Sequence, residues 1–94
     1  MTAPSIAIEH LPVRGRFQAH VDGRLCVADY RLAGGQMQMI HTEVAPDLQG
    51  RGIAAALVEA ALAYARANGL KVVPLCSYVR AYMRRHPQTQ DLLA

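Results

Sequence analysis

One segment constrains the fold more than any other, because it joins a strand to a long helix through a glycine loop. Residues 44–54 read VAPDLQGRGIA and run directly into an alanine-rich stretch. Gly50 and Gly52 lack a Cβ, so the backbone can adopt positive φ and a ligand can approach its amides. The first amides of the following helix have no intrahelical acceptor, and with the helix dipole they form a site for a phosphate. Arg51 adds a positive charge at this point.

Length and composition indicate one domain over residues 1–94. The 94 residues are 52% hydrophobic, which is enough for a core that we expect within residues 16–87. No apolar run reaches about 18 residues, and the first ten residues do not resemble a signal peptide, so no membrane partner is expected. Cys26 and Cys76 are far apart, which argues against a disulfide framework or zinc site and favours a cytoplasmic location. The charge of +3 suits an anionic ligand and is too small to argue for nucleic acid.

Alternating apolar and polar residues predict a three-stranded antiparallel meander after a mostly irregular start with a short extended piece at 6–9. Asp22-Gly23 and Gly34-Gly35 are hairpin signals between the strands. The predicted strands are residues 16–21, 24–32 and 36–44.

The third strand carries the polar residues closest to the loop. Strict alternation places Met37, Met39, His41 and Glu43 on one of its faces. An exposed Met37/Met39 face could be covered by a second chain, so both a monomer and a homodimer are expected possibilities.

The second half of the chain alternates helix and strand. Apolar rows predict a helix over residues 51–68, stopped by Asn68-Gly69, and then a fourth strand over 71–75 that pairs in parallel through a right-handed crossover. Pro74 predicts that this strand is an edge or diverges from its neighbour. A second helix over 77–86 ends at Pro87, and residues 88–94 are predicted to be loosely packed.

These elements and motifs resemble the GNAT superfamily of acetyl-CoA-dependent N-acetyltransferases. The Val-x-Pro lead-in and the Q-x-x-G-x-A spacing from Gln49 to Ala54 are similar to the pyrophosphate loop of that family. HTEV at 41–44, PLCSY at 74–78 and His86-Pro87 resemble its small, stand-alone members with a strand-end cysteine. The resemblance covers about residues 16–87. It implies an α/β (α+β) minimal GNAT fold: antiparallel meander, helix, splayed parallel strand and C-terminal helix.

The resemblance implies that the cofactor is acetyl-CoA or coenzyme A. An isolated G-x-G is also common in ordinary turns, and residues 44–45 could be ordinarily paired strand instead of holding a pantetheine arm. A basic cluster that includes Arg85 could equally be a solvated helix face. The implied cofactor-binding residues are Val44, Ala45, Gln49, Gly50, Arg51, Gly52, Ile53, Ala54, Cys76, Tyr78, Tyr82 and Arg85.

Four residues are candidates for catalysis, each with a plainer interpretation. His41 or Glu43 could act as a general base, or be polar strand residues facing solvent. Cys76 lies next to the first amides of the second helix, which would lower its pKa, and it could carry the acetyl group transiently or be a small buried hydrophobe. Tyr78, or Tyr82 one turn later, could protonate the leaving thiolate or merely line the site.

The predicted function is transfer of acetyl from acetyl-CoA to an amine on a small molecule or a protein. The alternative is a coenzyme A-binding module or sensor with little turnover, and hydrolysis at Cys76 is a third possibility. A nucleic-acid module is disfavoured by the low aromatic content. His10 and His20 have no spacing that suggests a metal.

Overall fold

The computed structural model describes residues 6–94, which form a five-stranded sheet with two α-helices. The first four strands pair antiparallel in sequence order, and the fifth pairs parallel to the fourth at the edge. Two 3₁₀ helices cover Pro46–Leu48 and Pro87–Leu92. The main elements are β1 (Glu9–Leu11), β2 (Arg16–Val21), β3 (Arg24–Ala33), β4 (Gln36–Glu43), α1 (Ile53–Ala67), β5 (Lys71–Pro74) and α2 (Ser77–Arg85).

Both predicted hairpins form at the predicted turn residues. Asp22 and Gly23 have φ of 51° and 75°, and Gly34 and Gly35 have φ of 55° and 79°. Two consecutive residues of positive φ match the twist of antiparallel strands. The meander, both helices and the parallel fourth strand of the prediction are therefore confirmed. The extended piece expected at 6–9 lies further along, as β1.

A β-bulge in β4 changes which residues share a face. Tyr30 pairs with Met39, but Asp29 pairs with His41, so Ile40 is an extra residue. Because one extra residue reverses the alternation, His41 and Glu43 lie on the face opposite Met39. The prediction that they share the methionine face is wrong for this reason.

The core lies between one face of the sheet and the two helices. Met37 and Met39 are fully buried there, as are Leu57 of α1 and Val79 of α2. The alanines of α1 allow this close packing while favouring the helix. The expected exposed Met37/Met39 face is therefore wrong, and so is the dimer argument that rested on it.

The end of the chain is packed, contrary to the prediction for residues 88–94. Thr89 and Leu92 are buried, and Leu93 forms a parallel bridge with Val72. Arg66 of α1 binds Asp91 through two hydrogen bonds of 2.7 and 3.0 Å. Composition did not reveal this packing because the anchoring contacts come from α1 and β5.

Candidate functional site

The site begins where β4 and β5 separate. Their pairing ends at Met39 and Pro74, and the amide of Cys76 then donates to the carbonyl of Met39 at 2.9 Å. Beyond this point β4 still pairs with β3 but no longer with β5. Among residues 6–94, the amides of Val44 and Ala45 have no backbone acceptor. The opening therefore exposes strand-like donors, and such groups need a partner when a ligand excludes water.

Cys76 lies at the point of separation and precedes α2. Its Sγ is 3.5 Å from Oγ1 of Thr42. Burial alone would raise the pKa of the thiol, but the backbone amide of Val79, the Thr42 hydroxyl and the amide of Tyr78 outweigh it and lower the pKa. The arrangement favours the reactive thiolate.

The glycine loop builds a cavity beside this opening. Gly50 and Gly52 have φ of 82° and 81°, and a Cβ added at either would meet nothing within 4 Å, so space beside the loop is open. Gly52 is the N-cap of α1, and the amides of the first turn lie beyond it. The cavity has a volume of about 270 Å³ and includes Gln49, Gly50, Gly52, Ile53 and Ala54 in its wall.

A neighbouring cavity extends the loop cavity toward Thr42. Its volume is about 220 Å³, and it shares Val44, Gln49, Ala54 and Tyr78 with the first. The Gln49 side chain donates to the Val44 carbonyl at 3.3 Å, which fixes the loop against the strand end. The two cavities form one path from the loop to the hydroxyl that contacts Cys76.

The charged residues predicted for cofactor binding lie at the edge of this path. Arg51 binds Asp22 of the β2–β3 hairpin at 2.7 Å, and this hydrogen bond raises its pKa. Arg85 lies close enough to Tyr78 to oppose the rise in the pKa of that phenol, which burial causes. Neither arginine lines the two cavities.

His41 and Glu43 lie on the other face of the sheet. Nε2 of His41 is 3.0 Å from Oε1 of Glu43. An ionised carboxylate only accepts, so Nε2 carries the proton and Nδ1 is left as an acceptor. Across the bulge, Asp29 holds Arg16 at 2.7 and 3.2 Å. The hydrogen bond from Arg16 to Asp29 and, more weakly, the charge of Glu43 raise the pKa of Arg16.

Tyr82 lies apart from the other predicted residues. It stacks on His86 with ring centroids 3.9 Å apart, and both line a different cavity. The structure thus brings together the loop, Val44, Cys76 and Tyr78, and leaves Tyr82 one helical turn away.

Thr42 is the site residue that the sequence analysis missed. Strict alternation placed its neighbours His41 and Glu43, and not Thr42, on the face that was considered for catalysis. Thr42 pairs with the buried Ala28, so its side chain lies on the apolar face of the sheet. The sequence does not reveal this position, because it depends on the bulge.

The sheet, the separated parallel strands and the glycine loop before α1 define the class of GNAT-fold proteins. The chain belongs to the GCN5-related N-acetyltransferase family, whose family model matches residues 16–92. It is 33% identical to Protein NATD1 of Xenopus tropicalis over 94% of this chain and 84% of that protein. Protein NATD1 of Homo sapiens is also 33% identical, over 93% and 80% of the two chains.

A solved structure supports the same assignment. The solution structure of a GCN5-like candidate N-acetyltransferase from Staphylococcus aureus superposes with a TM-score of 0.73 and 25% sequence identity. The match covers 100% of this chain and 91% of that one. Within residues 6–94, no helix is long and apolar enough to span a membrane.

Proposed function

We propose that the protein uses acetyl-CoA to acetylate an amine on a small molecule or a protein. The observation that carries the proposal is the path from the glycine loop to Thr42, whose hydroxyl contacts Cys76, with Val44 and the phenol of Tyr78 in its wall. A diphosphate suits the first amides of α1, and an amide-containing arm suits the donors of Val44 and Ala45. Acetyl-CoA has both groups, with its thioester at the far end.

Direct transfer needs a base, and His41 is the proposed one. Because His41 lies on the sheet face opposite the cavities, the amine is proposed to enter from that face, through the opening between β4 and β5. Nδ1 of His41 takes the proton as the amine nitrogen bonds to the acetyl carbon and the carbon–sulfur bond breaks. Glu43 holds the Nε2–H and thereby selects the tautomer, as the third group does in a catalytic triad. Tyr78 can supply a proton to the departing thiolate.

A two-step route through Cys76 is also consistent with the chain. In that route the Cys76 thiolate bonds to the acetyl carbon as the bond between that carbon and the coenzyme A sulfur breaks, and the departing thiolate takes a proton from Tyr78. The amine then displaces the Cys76 sulfur, with its proton taken by a base. The Thr42 hydroxyl, which helps lower the pKa of Cys76, would also hold the regenerated thiolate.

Calorimetry followed by an acetylation assay tests the function. Acetyl-CoA and coenzyme A are expected to bind, and NAD is the control nucleotide. Absence of binding at millimolar ligand would end the proposal. Binding without transfer across free amines, lysine peptides and peptide N-termini would instead support the binding module.

Intact-mass analysis after incubation with acetyl-CoA separates the two routes. An acetyl adduct on Cys76, with activity lost in Cys76→Ser, supports the two-step route. No adduct and full activity in Cys76→Ser support direct transfer.

A further inference from the structure

The opening between β4 and β5 has different side chains on its two sides. On the β4 side lie His41 and Glu43, the proposed base and its partner, and the Glu43 side chain is 71% exposed. On the β5 side lies the short segment that leads into α2. The contact of Cys76 with Thr42 at 3.5 Å joins the two sides. An amine that enters at this opening is therefore close to both.

Leu75 and Arg80 are exposed residues on the β5 side. Leu75 directly precedes Cys76 and is 53% exposed. Nε and Nη2 of Arg80 donate to the carbonyls of Pro74 and Leu75 at 3.4 and 3.1 Å. These bonds hold the guanidinium at the end of β5, although Arg80 itself belongs to α2. A guanidinium has more N–H donors than these two bonds use, so the others are free for a ligand.

The positive charge of Arg80 has no carboxylate partner among residues 6–94. Its two hydrogen bonds go to backbone carbonyls, and α2 contains no acidic residue. Elsewhere in the same part of the chain, four arginines each form an ion pair with an aspartate: Arg16, Arg24, Arg51 and Arg66. An arginine that is fixed in position but lacks such a partner is suited to bind the carboxylate of a ligand.

We propose that the acceptor is an amine that also carries a carboxylate, with the amine placed at His41 and Glu43 and the carboxylate bound by Arg80. This inference rests on the proposed function, because it assumes transfer to an amine that enters at the opening. The negative charge of Glu43 on one side and the positive charge of Arg80 on the other orient such an acceptor. In the reverse orientation each end would meet a like charge.

The separation of the two charges sets the length of the acceptor. His41 and Glu43 lie on either side of the residue that contacts Cys76, and the Arg80 guanidinium contacts the carbonyl of Leu75, which precedes Cys76. With about 3.8 Å between neighbouring Cα atoms, the two sites are on the order of 10 Å apart. An extended chain of about four carbons, with a hydrogen bond of about 3 Å at each end, covers this distance. Leu75 can contact the carbons of such a chain.

Acetylation kinetics with 5-aminopentanoate and its amide test the assignment. Both have the same amine and chain, and only the first has a carboxylate. In wild type, kcat/KM for the acid should exceed that for the amide about tenfold or more. Arg80→Gln, whose side-chain amide can still donate to a carbonyl, should use both acceptors about equally. Arg84→Gln removes the same charge one helical turn farther from Cys76 and should keep the wild-type preference.

Three results would contradict the role of Arg80. These are equal use of acid and amide by wild type, the wild-type preference in Arg80→Gln, and an equal loss of the preference in Arg84→Gln. Since Arg80 is exposed, the preference should also fall as salt is added. If wild type acetylates no acceptor, the proposed function fails too, whereas transfer without a preference removes only this inference.

A pair of peptides distinguishes the two sources of such a carboxylate. In one peptide lysine is followed by aspartate, and in the other by asparagine. A preference confined to the small acid over its amide would assign the acceptor to free amino acids. A preference for the aspartate peptide that Arg80→Gln abolishes would assign it to an acidic segment of a protein. Absence of a preference in both pairs would overturn the proposal.

Discussion

The sulfur of Cys76 lies 3.5 Å from the hydroxyl of Thr42, across the point where β4 and β5 separate. The contact joins residues 34 positions apart, and Thr42 lines the cavity that extends the loop cavity. It also depends on the bulge at Ile40, which turns Thr42 toward the helix side. The bulge in β4 and the N-terminus of α2 therefore both contribute to the environment of the Cys76 thiol.

Thr42→Val should make Cys76 less reactive. Removing the hydroxyl removes one of the interactions that lower the thiol pKa, so that pKa rises and less thiolate is present at neutral pH. The measurement is the rate of Cys76 alkylation against pH, followed by peptide mass analysis. The midpoint should move to higher pH in the variant. Cys26, which is fully buried, provides the internal control and should react far more slowly. Identical profiles in both proteins would refute the role of Thr42.

Gly52→Ala should weaken both the fold and acetyl-CoA binding. A Cβ at Gly52 meets no neighbour within 4 Å, so the cost comes from the left-handed backbone and is about 1–2 kcal/mol. Relief of that strain would reorient the amides at the start of α1. Gly35→Ala is the matched control, because Gly35 has φ of 79°, also has no neighbour within 4 Å, and lies in the β3–β4 hairpin.

Denaturant unfolding and calorimetry check this pair of variants. Both should lose similar stability, and only Gly52→Ala should lose affinity for acetyl-CoA by several-fold. Equal affinity in the two variants would mean that the loop amides do not hold the ligand.

His10 should make stability depend on pH. Its ring stacks on Phe17 at 4.0 Å, and its Nε2 lies 2.6 Å from the hydroxyl of Tyr30. Burial lowers the pKa of His10. The unfolded chain therefore takes up the proton first, near pH 6.5, and the free energy of unfolding falls as pH drops below that value until the folded state is protonated too.

Urea unfolding between pH 5 and pH 8 measures this effect. In His10→Phe, which preserves an aromatic ring against Phe17, the loss of stability toward low pH should be smaller than in the wild type. A variant with the same pH dependence would show that other groups cause it.

The fold was predictable because local signals agreed with one another. Asp22-Gly23 and Gly34-Gly35 fix two hairpins through the φ values that they favour, and the apolar rows of α1 fix its buried face. The bulge was not predictable, since Ile40 has no turn chemistry that marks it as the extra residue. The packing of residues 87–92 also depends on distant partners, above all Arg66.

The part of the candidate site that consists of backbone groups was predictable from the sequence. Gly50, Gly52 and the first turn of α1 line a cavity as the loop motif implied. Side chains were less predictable, because a face assignment by alternation fails after a bulge. Thr42 was missed for this reason. Tyr82, a predicted cofactor-binding residue, lines a separate cavity between α1 and α2 and not the cavity at the loop.

His41 and Glu43 should have unequal effects on acetyl transfer. The His41 Nε2–H is held by Glu43 at 3.0 Å, so Nδ1 is left as an acceptor and His41 is the proposed base. His41→Ala should lower kcat/KM by about 10²-fold or more, and Glu43→Gln by less, because the imidazole remains when its partner is changed. Equilibrium affinity for acetyl-CoA should stay the same in both, since these side chains lie across the sheet from the loop.

Added imidazole separates a base from a structural residue. The His41 side chain is 53% exposed, so imidazole can reach the space left by His41→Ala and should restore part of its activity. The same addition should do nothing for Glu43→Gln, which still has its own imidazole. A larger loss in Glu43→Gln than in His41→Ala, with no rescue of the latter, would transfer the role of base to the carboxylate. The acceptor amine would then be expected to approach Glu43, the more exposed of the pair at 71%.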